Sequence, residues 1–228
     1  ATVLQLAIFD AWGVPYWVSV AVTILLIWVY TFKGGIKTIV WTDSLQTLFM
    51  LAAVGITIWQ IGGKLNLEIG QIAQIVSDSE YSKTFFFEDW KDSKFFWKQF
   101  ISGAFITIVM TGLDQDMMQK NLSIRNLKEA QWNIFSFSTI LVLVNVFFLS
   151  LGALLFIYAN HIGLSIPEKT DEIYPLLALK GYLGPMAAFF FILGLTAAAY
   201  SSADSALTAL TTSVCIDLID VQRFEEAK

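Results

Sequence analysis

The 228-residue sequence predicts an all-α integral membrane domain, and three observations carry that prediction. Hydrophobic residues are 56% of the chain and charged residues only 14%, whereas a soluble domain averages about 25% charged. Five stretches are long and apolar enough for bilayer-crossing helices, which take about 20 residues each. None alternates in hydrophobicity over about ten residues as an outer-membrane barrel strand does. The net charge of −5 offers no polybasic footprint, so nucleic acid is not an expected partner and the lipid bilayer is.

Taken in order, ATVLQLAIF (1–9) reads as the end of a preceding apolar helix, having neither an initiator Met nor the charged start of a signal peptide. With DLIDVQRFEEAK at the other end, it gives the expectation of an internal fragment. Residues 14–32 form the first span, without charge, and 38–62 the second, with Asp43 near its start. Between them KGGIK (33–37) predicts a tight basic turn. The loop at 63–98 mixes six acids with five lysines, and its FFFEDWKDSKFFW suits the aromatic and basic belt of a membrane–water interface. The third span covers 99–118 and ends in DQDMM, followed by the short basic QKNLSIRNLKE (119–129). The fourth span is 130–159, a second loop covers 160–182, and the fifth span is 183–216. The expected whole is one transmembrane domain of five spans plus the stub of a sixth.

Orientation rests on cations near helix ends. Alternating sides group Lys33, Lys37, Lys120, Arg125, Lys128, Arg223 and Lys228 against Lys64, Lys83, Lys91, Lys94, Lys98, Lys169 and Lys180, a tie of seven each. The short basic connectors at 33–37 and 119–129 flank their spans more closely, which favours their side as cytoplasmic and the loops at 63–98 and 160–182 as external.

The fifth span carries AAAYSSADSALTALTTS (197–213). Intramembrane charges are costly and face a protein interior or a wet cavity. At 100° per residue from Ala198, Ser201, Ser202 and Ser205 share one face, with Asp204 and Thr208 beside it. These are oxygen donors, which hard cations take. Hydroxyls also serve as hydrogen-bonding glue between packed helices, and Thr211, Thr212 and Ser213 are read that way. The neighbouring acid Asp204 favours a cation for the serines. Asp43 has two readings: a carboxylate stabilising a helix N-terminus, or an ion-site acid. Asp114 and Asp116 read as a solvated helix end.

The sole histidine, His161, suits an interfacial loop, and the sole cysteine, Cys215, a helix interior, so neither a disulfide nor a His- or Cys-based metal site is expected. An intramembrane aspartyl protease would need GxGD, and Thr111-Gly112-Leu113-Asp114 lacks the first glycine. GxSxG, HExxH and the Walker loop are absent, and no enzyme is expected.

Three segments together resemble the sodium/solute symporter family, which includes the sodium–glucose cotransporters. They are YTFKGGIKTIVWTDSLQTLFML (30–51), GLDQDMMQKNLS (112–123) and AAAYSSADSALTALTTSVCIDL (197–218). The most specific is the first, where a glycine pair leads to Trp41-Thr42-Asp43 and Gln46. The resemblance implies a LeuT-like inverted-repeat core with ion and solute sites at broken midplane helices. Residues 1–9 would then end core helix 3, the five spans would be helices 4 to 8, and the short basic connectors would be cytoplasmic.

By that resemblance Na+ is held by Ala198, Ser201 and Ser202. A second cation would lie near Asp43, Ser202, Asp204 and Ser205, with Asp204 standing where Ser or Thr is usual and open to a proton role. Sugar-carrying members have Asn, Tyr and Trp where this chain has Thr107, Met110 and Thr111, and the lysine of their helix 7 is absent here. The implied activity is sodium-coupled symport of a small polar organic solute across a plasma or bacterial inner membrane. A sugar acid such as sialic acid, another carboxylate, an amino acid or a sugar all fit. The other reading is a sensor module of the same fold fused to a signalling kinase domain.

Overall fold

The computed structural model describes residues 13–29 and 40–219, so the stub expected at 1–9 and the tail cations Arg223 and Lys228 lie outside the described residues. The regular secondary structure among the described residues is all helical, with seven α-helices: α1 (Tyr16–Lys64), α2 (Ile69–Asp78), α3 (Phe96–Gly112), α4 (Gln115–Leu122), α5 (Leu127–His161), α6 (Ile173–Leu179) and α7 (Pro185–Thr212). A π-helical turn, Ser213–Leu218, extends α7. Among the described residues, three segments are long and apolar enough to cross a membrane: Val40–Lys64, Leu127–His161 and Pro185–Ile216. They overlap the second, fourth and fifth expected spans, and the shorter apolar helix Tyr16–Val29 overlaps the first.

The basic turn expected at 33–37 falls within 30–39, outside the described residues. One expectation differs from what is observed. The third expected span, 99–118, is divided at Leu113–Asp114, leaving α3 with 17 residues.

Where α1 does end, the cause is local. Asn66 adopts φ +54, the left-handed conformation that asparagine tolerates after a helix. Its amide reaches Gly63 O at 3.3 Å, and the Leu67 amide reaches Gly62 O at 2.9 Å. These two bonds make a Schellman motif that satisfies the last carbonyls of α1.

The described residues divide into two compact units. The first comprises those up to Ser82 together with Thr139–Ser201; the second comprises Lys83–Ser138 and those from Ser202 on. The core of the first unit follows from helical periodicity. On α5, Leu151, Leu154, Leu155, Tyr158 and Ala159 recur at steps of three and four and are all buried. They join Val54 and Ile61 of α1, Ile173 and Leu177 of α6, and Ala187 and Phe191 of α7 in one cluster. Two tyrosine hydroxyls in that core are hydrogen-bonded. Tyr174 Oη lies 2.7 Å from Thr57 Oγ1, and the Tyr158 hydroxyl donates to Tyr182 O at 2.9 Å. Burial pushes the Tyr174 phenol above its ordinary pKa, while the Thr57 hydrogen bond acts the other way.

In the second unit, the FFFEDWKDSKFFW segment packs on itself. Phe87 and Phe85 meet Phe96 at centroid distances of 4.9 and 5.6 Å. Lys94 lies 5.9 Å from the centre of the Phe86 ring and Lys98 5.9 Å from that of Trp90. The Lys94 backbone N–H donates to Asp92 Oδ1 at 3.0 Å, holding that carboxyl below the usual carboxylate range.

Candidate functional site

Within the first unit, α1 and α7 run antiparallel along a seam whose register three contacts define. Near the end of α1, a β-carbon at Gly184 would sit 3.6 Å from Gln60 Oε1. Ten residues further on, one at Gly194 would sit 3.5 Å from Phe49 O and 3.6 Å from Met50 Cα. Seven residues beyond that, the Ser201 hydroxyl donates to Asp43 Oδ1. Positions 184, 194 and 201 thus meet 60, 49–50 and 43, as antiparallel helices of equal rise require.

The residues along the seam recur at steps of three, four or seven: Asp43, Met50, Val54, Thr57 and Ile61 on α1, and Ala187, Phe191, Gly194, Ala198 and Ser201 on α7. This is the spacing with which one helix keeps a single stripe facing another. Burial is complete at Ile61, Thr57 and Ala187 and declines to half-buried at Asp43, Ala198 and Ser201. Gly194 is the point of close approach, where only a hydrogen stands between α7 and the α1 backbone.

The structure therefore brings Asp43 to Ser201, with Ala198 one turn earlier on the same stripe. Asp43 is helical and half-buried, within the apolar segment Val40–Lys64. Its neighbours turn inward on their own helix, with Thr47 Oγ1 donating to Asp43 O at 2.9 Å and Ser44 Oγ to Val40 O at 2.8 Å. A carboxylate at depth costs on the order of 3 kcal/mol, and one hydrogen bond to a charged group returns about 1.5–3 kcal/mol. While its proton is directed at Asp43, Ser201 Oγ keeps lone pairs that a cation can accept.

The other expected residues fall differently. Ser202, one step off the stripe, is exposed, Ser205 is half-buried and Asp204 is fully buried; all three belong to the second unit. Thr107 and Met110 are exposed on α3, with Thr107 Oγ1 donating to Gly103 O at 2.9 Å, and Thr111 is half-buried. Asp114 caps α4: its Oδ1 accepts from the Met117 backbone N–H at 2.9 Å, and the residue is exposed, as a solvated helix end requires. Gly194 and the Thr57–Tyr174 pair were not foreseen. A signal for Gly194 exists in the sequence, since Gly194 and Ala198 form the small-xxx-small spacing of closely packed membrane helices.

Comparison with known proteins bears on what this seam belongs to. The family model described as sodium:solute symporter family matches residues 4–227. The sodium/sialic acid symporter of Proteus mirabilis is 26% identical over 95% of this chain and 44% of its own length. The human sodium/iodide cotransporter is 23% identical over 91% of this chain and 33% of its own. The sodium-dependent multivitamin transporter of Oryctolagus cuniculus is 25% identical over 94% and 34%. The chain spans less than half the length of these relatives. No solved structure matches it.

Proposed function

Because the chain belongs to the sodium:solute symporter family, we propose that it carries part of the sodium-binding and coupling machinery of a symporter for a small polar organic solute. Members of the family are multi-pass membrane proteins and transporters, not enzymes. The reading rests chiefly on the hydrogen bond from Ser201 to Asp43 across the α1–α7 seam. Sodium enters as co-substrate. Its ligands from this chain are the Ala198 carbonyl and the Ser201 and Ser202 hydroxyls, with the Asp43 carboxylate supplying negative charge through Ser201.

The coupling logic follows from linkage. An ion shifts a conformational equilibrium only by its differential affinity for the two states. A site whose oxygens come from two helices changes affinity when those helices move relative to each other, because hard-cation binding needs several oxygens at once. The conformation that keeps Ser201 on Asp43 is the sodium-competent one, and an inward sodium gradient drives uptake by populating it. For the solute, a carboxylate-bearing sugar acid is the first candidate: two relatives are named for sialic acid, and Thr107, Met110 and Thr111 replace the residues of a neutral-sugar pocket. The membrane is a plasma or bacterial inner membrane.

The test is sodium-driven uptake by the full-length protein against a panel of sugar acids, other carboxylates, amino acids and sugars. Ser201→Ala is expected to raise the half-saturating sodium concentration at least tenfold, corresponding to about 1.4 kcal/mol or more. An unchanged sodium dependence in Ser201→Ala removes the assignment.

A further inference from the structure

The segment that leads into α3 folds on itself and turns its aromatic rings outward. The Phe96 backbone N–H donates to Phe86 O at 2.8 Å and the Gln99 side chain to Ser93 O at 2.7 Å, closing residues 86–96 into a compact loop. Phe85 and Phe87 pack on Phe96, and Trp97 meets it edge-on at 5.2 Å. Yet Phe85, Phe87, Trp90 and Trp97 are each more than half exposed. Bare aromatic surface gathered in one patch marks an interaction site.

The charges of this segment are used unequally. Of its three acids, Glu88 pairs with Lys83 at 2.9 Å, Asp89 accepts the Lys91 backbone N–H at 2.8 Å, and Asp92 accepts that of Lys94 at 3.0 Å. Lys91, Lys94 and Lys98 form no ion pair among the described residues. Their ammonium groups lie over rings instead, Lys91 and Lys98 at 6.0 and 5.9 Å from the centre of Trp90 and Lys94 at 5.9 Å from that of Phe86. Lys98 adds one long bond to Asp92 O, at 3.4 Å. An ammonium has three donors, so a ring on one side leaves the others open to an anion.

The helix that follows says where this loop lies. Phe100, Ile101, Phe105, Ile106, Val109 and Met110 point in all directions round the axis of α3, and all are exposed. A helix apolar on every side belongs in a protein core or in a membrane, and α3 buries no residue within the protein. Phe96 is in its first turn, so the rings packed on Phe96 stand where α3 enters the lipid.

We propose that residues 83–98 form an anchor in the membrane–water interface, with the exposed rings in the headgroup–acyl boundary and phospholipid phosphates against Lys91, Lys94 and Lys98. Composition alone suited the segment to that depth; the folded loop assigns which rings face lipid and which cations are open to phosphate. The assignment is independent of the sodium reading.

The experiment uses the full-length protein in phosphatidylcholine bilayers whose acyl chains carry bromine, a contact quencher of tryptophan, either near the headgroup or near the chain end. Subtracting the emission of a Trp90→Phe variant isolates that of Trp90. It is expected to be quenched about twofold more by bromine near the headgroup, because an interfacial apolar face sits only about 5–10 Å deep. A Lys91→Glu, Lys98→Glu double variant is expected to lose most of this quenching, while Lys91→Arg, Lys98→Arg keeps it. Both lysines are exposed, so neither change disturbs packing. Trp90 emission untouched by either lipid overturns the anchor. Equal quenching by the two overturns the depth. Quenching unchanged in the glutamate variant overturns the phosphate contacts.

Discussion

Gly194 is the position at which a single side chain tests whether the α1–α7 seam holds the site together. An alanine β-carbon there would sit 3.5 Å from Phe49 O and 3.6 Å from Met50 Cα, both ordinary contacts. Gly194→Ala therefore fits without moving either helix. A leucine adds three more heavy atoms against backbone that has no rotamer to yield. Overpacking of that kind costs about 1–3 kcal/mol and is relieved by separating the helices. Ser201 lies seven residues along α7, about 10 Å away, and a separation of about 1 Å there takes its hydroxyl beyond the 2.5–3.0 Å reach of an O–H···O bond. Losing a hydrogen bond to a charged group, about 1.5–3 kcal/mol, corresponds to roughly a tenfold to hundredfold rise in the half-saturating sodium concentration. The assay is solute uptake by the full-length protein as a function of sodium, normalised to the amount of folded protein. Both substitutions favour a helix over glycine, so a loss confined to leucine is not a loss of helicity. An alanine variant as impaired as the leucine variant, or a folded leucine variant with unchanged sodium dependence, refutes the seam as the element that positions the site.

Two further outcomes follow from polar pairs elsewhere. Thr57→Val leaves Tyr174 Oη with only Ala53 O at 3.4 Å, whereas Tyr174→Phe leaves Thr57 free to bond the same carbonyl four residues back on its own helix. Thr57→Val is therefore expected to cost more, about 2 kcal/mol against about 1 kcal/mol, with thermal unfolding in detergent lowered by roughly 4–8 °C and 2–4 °C respectively; the reverse order contradicts the pairing. Asp114→Ala removes the cap of α4 and is expected to cost about 1 kcal/mol locally. It would be read as about fivefold faster hydrogen exchange across 115–122 with sodium-dependent uptake unchanged; a loss of uptake would give Asp114 a role in transport.

The site was half legible. That Ala198, Ser201, Ser202 and Ser205 share a helical face is a consequence of the 100° step, and of these Ser201 reaches α1, at Asp43. The sequence did not reveal which azimuth of that helix meets a neighbour. Ser202, 100° round from Ser201, is exposed, while Asp204, read as lying beside the face, is fully buried. Asp43 shows the same limit: the sequence left it two readings, and only the antiparallel register gives it Ser201 as donor.

What the sequence determined by itself is what local chemistry and composition dictate. It specified a membrane protein, because 56% hydrophobic residues fall in runs of spanning length, and it specified the oxygen character of the site and the family. Tertiary structure decided what depends on distant partners: the pairing of Asp43 with Ser201 across 158 residues and that of Thr57 with Tyr174 across 117. The physical reason is that periodicity orients side chains about their own helix axis. Which of those directions is buried depends on where backbones can approach, and here a small residue at 194 permits it.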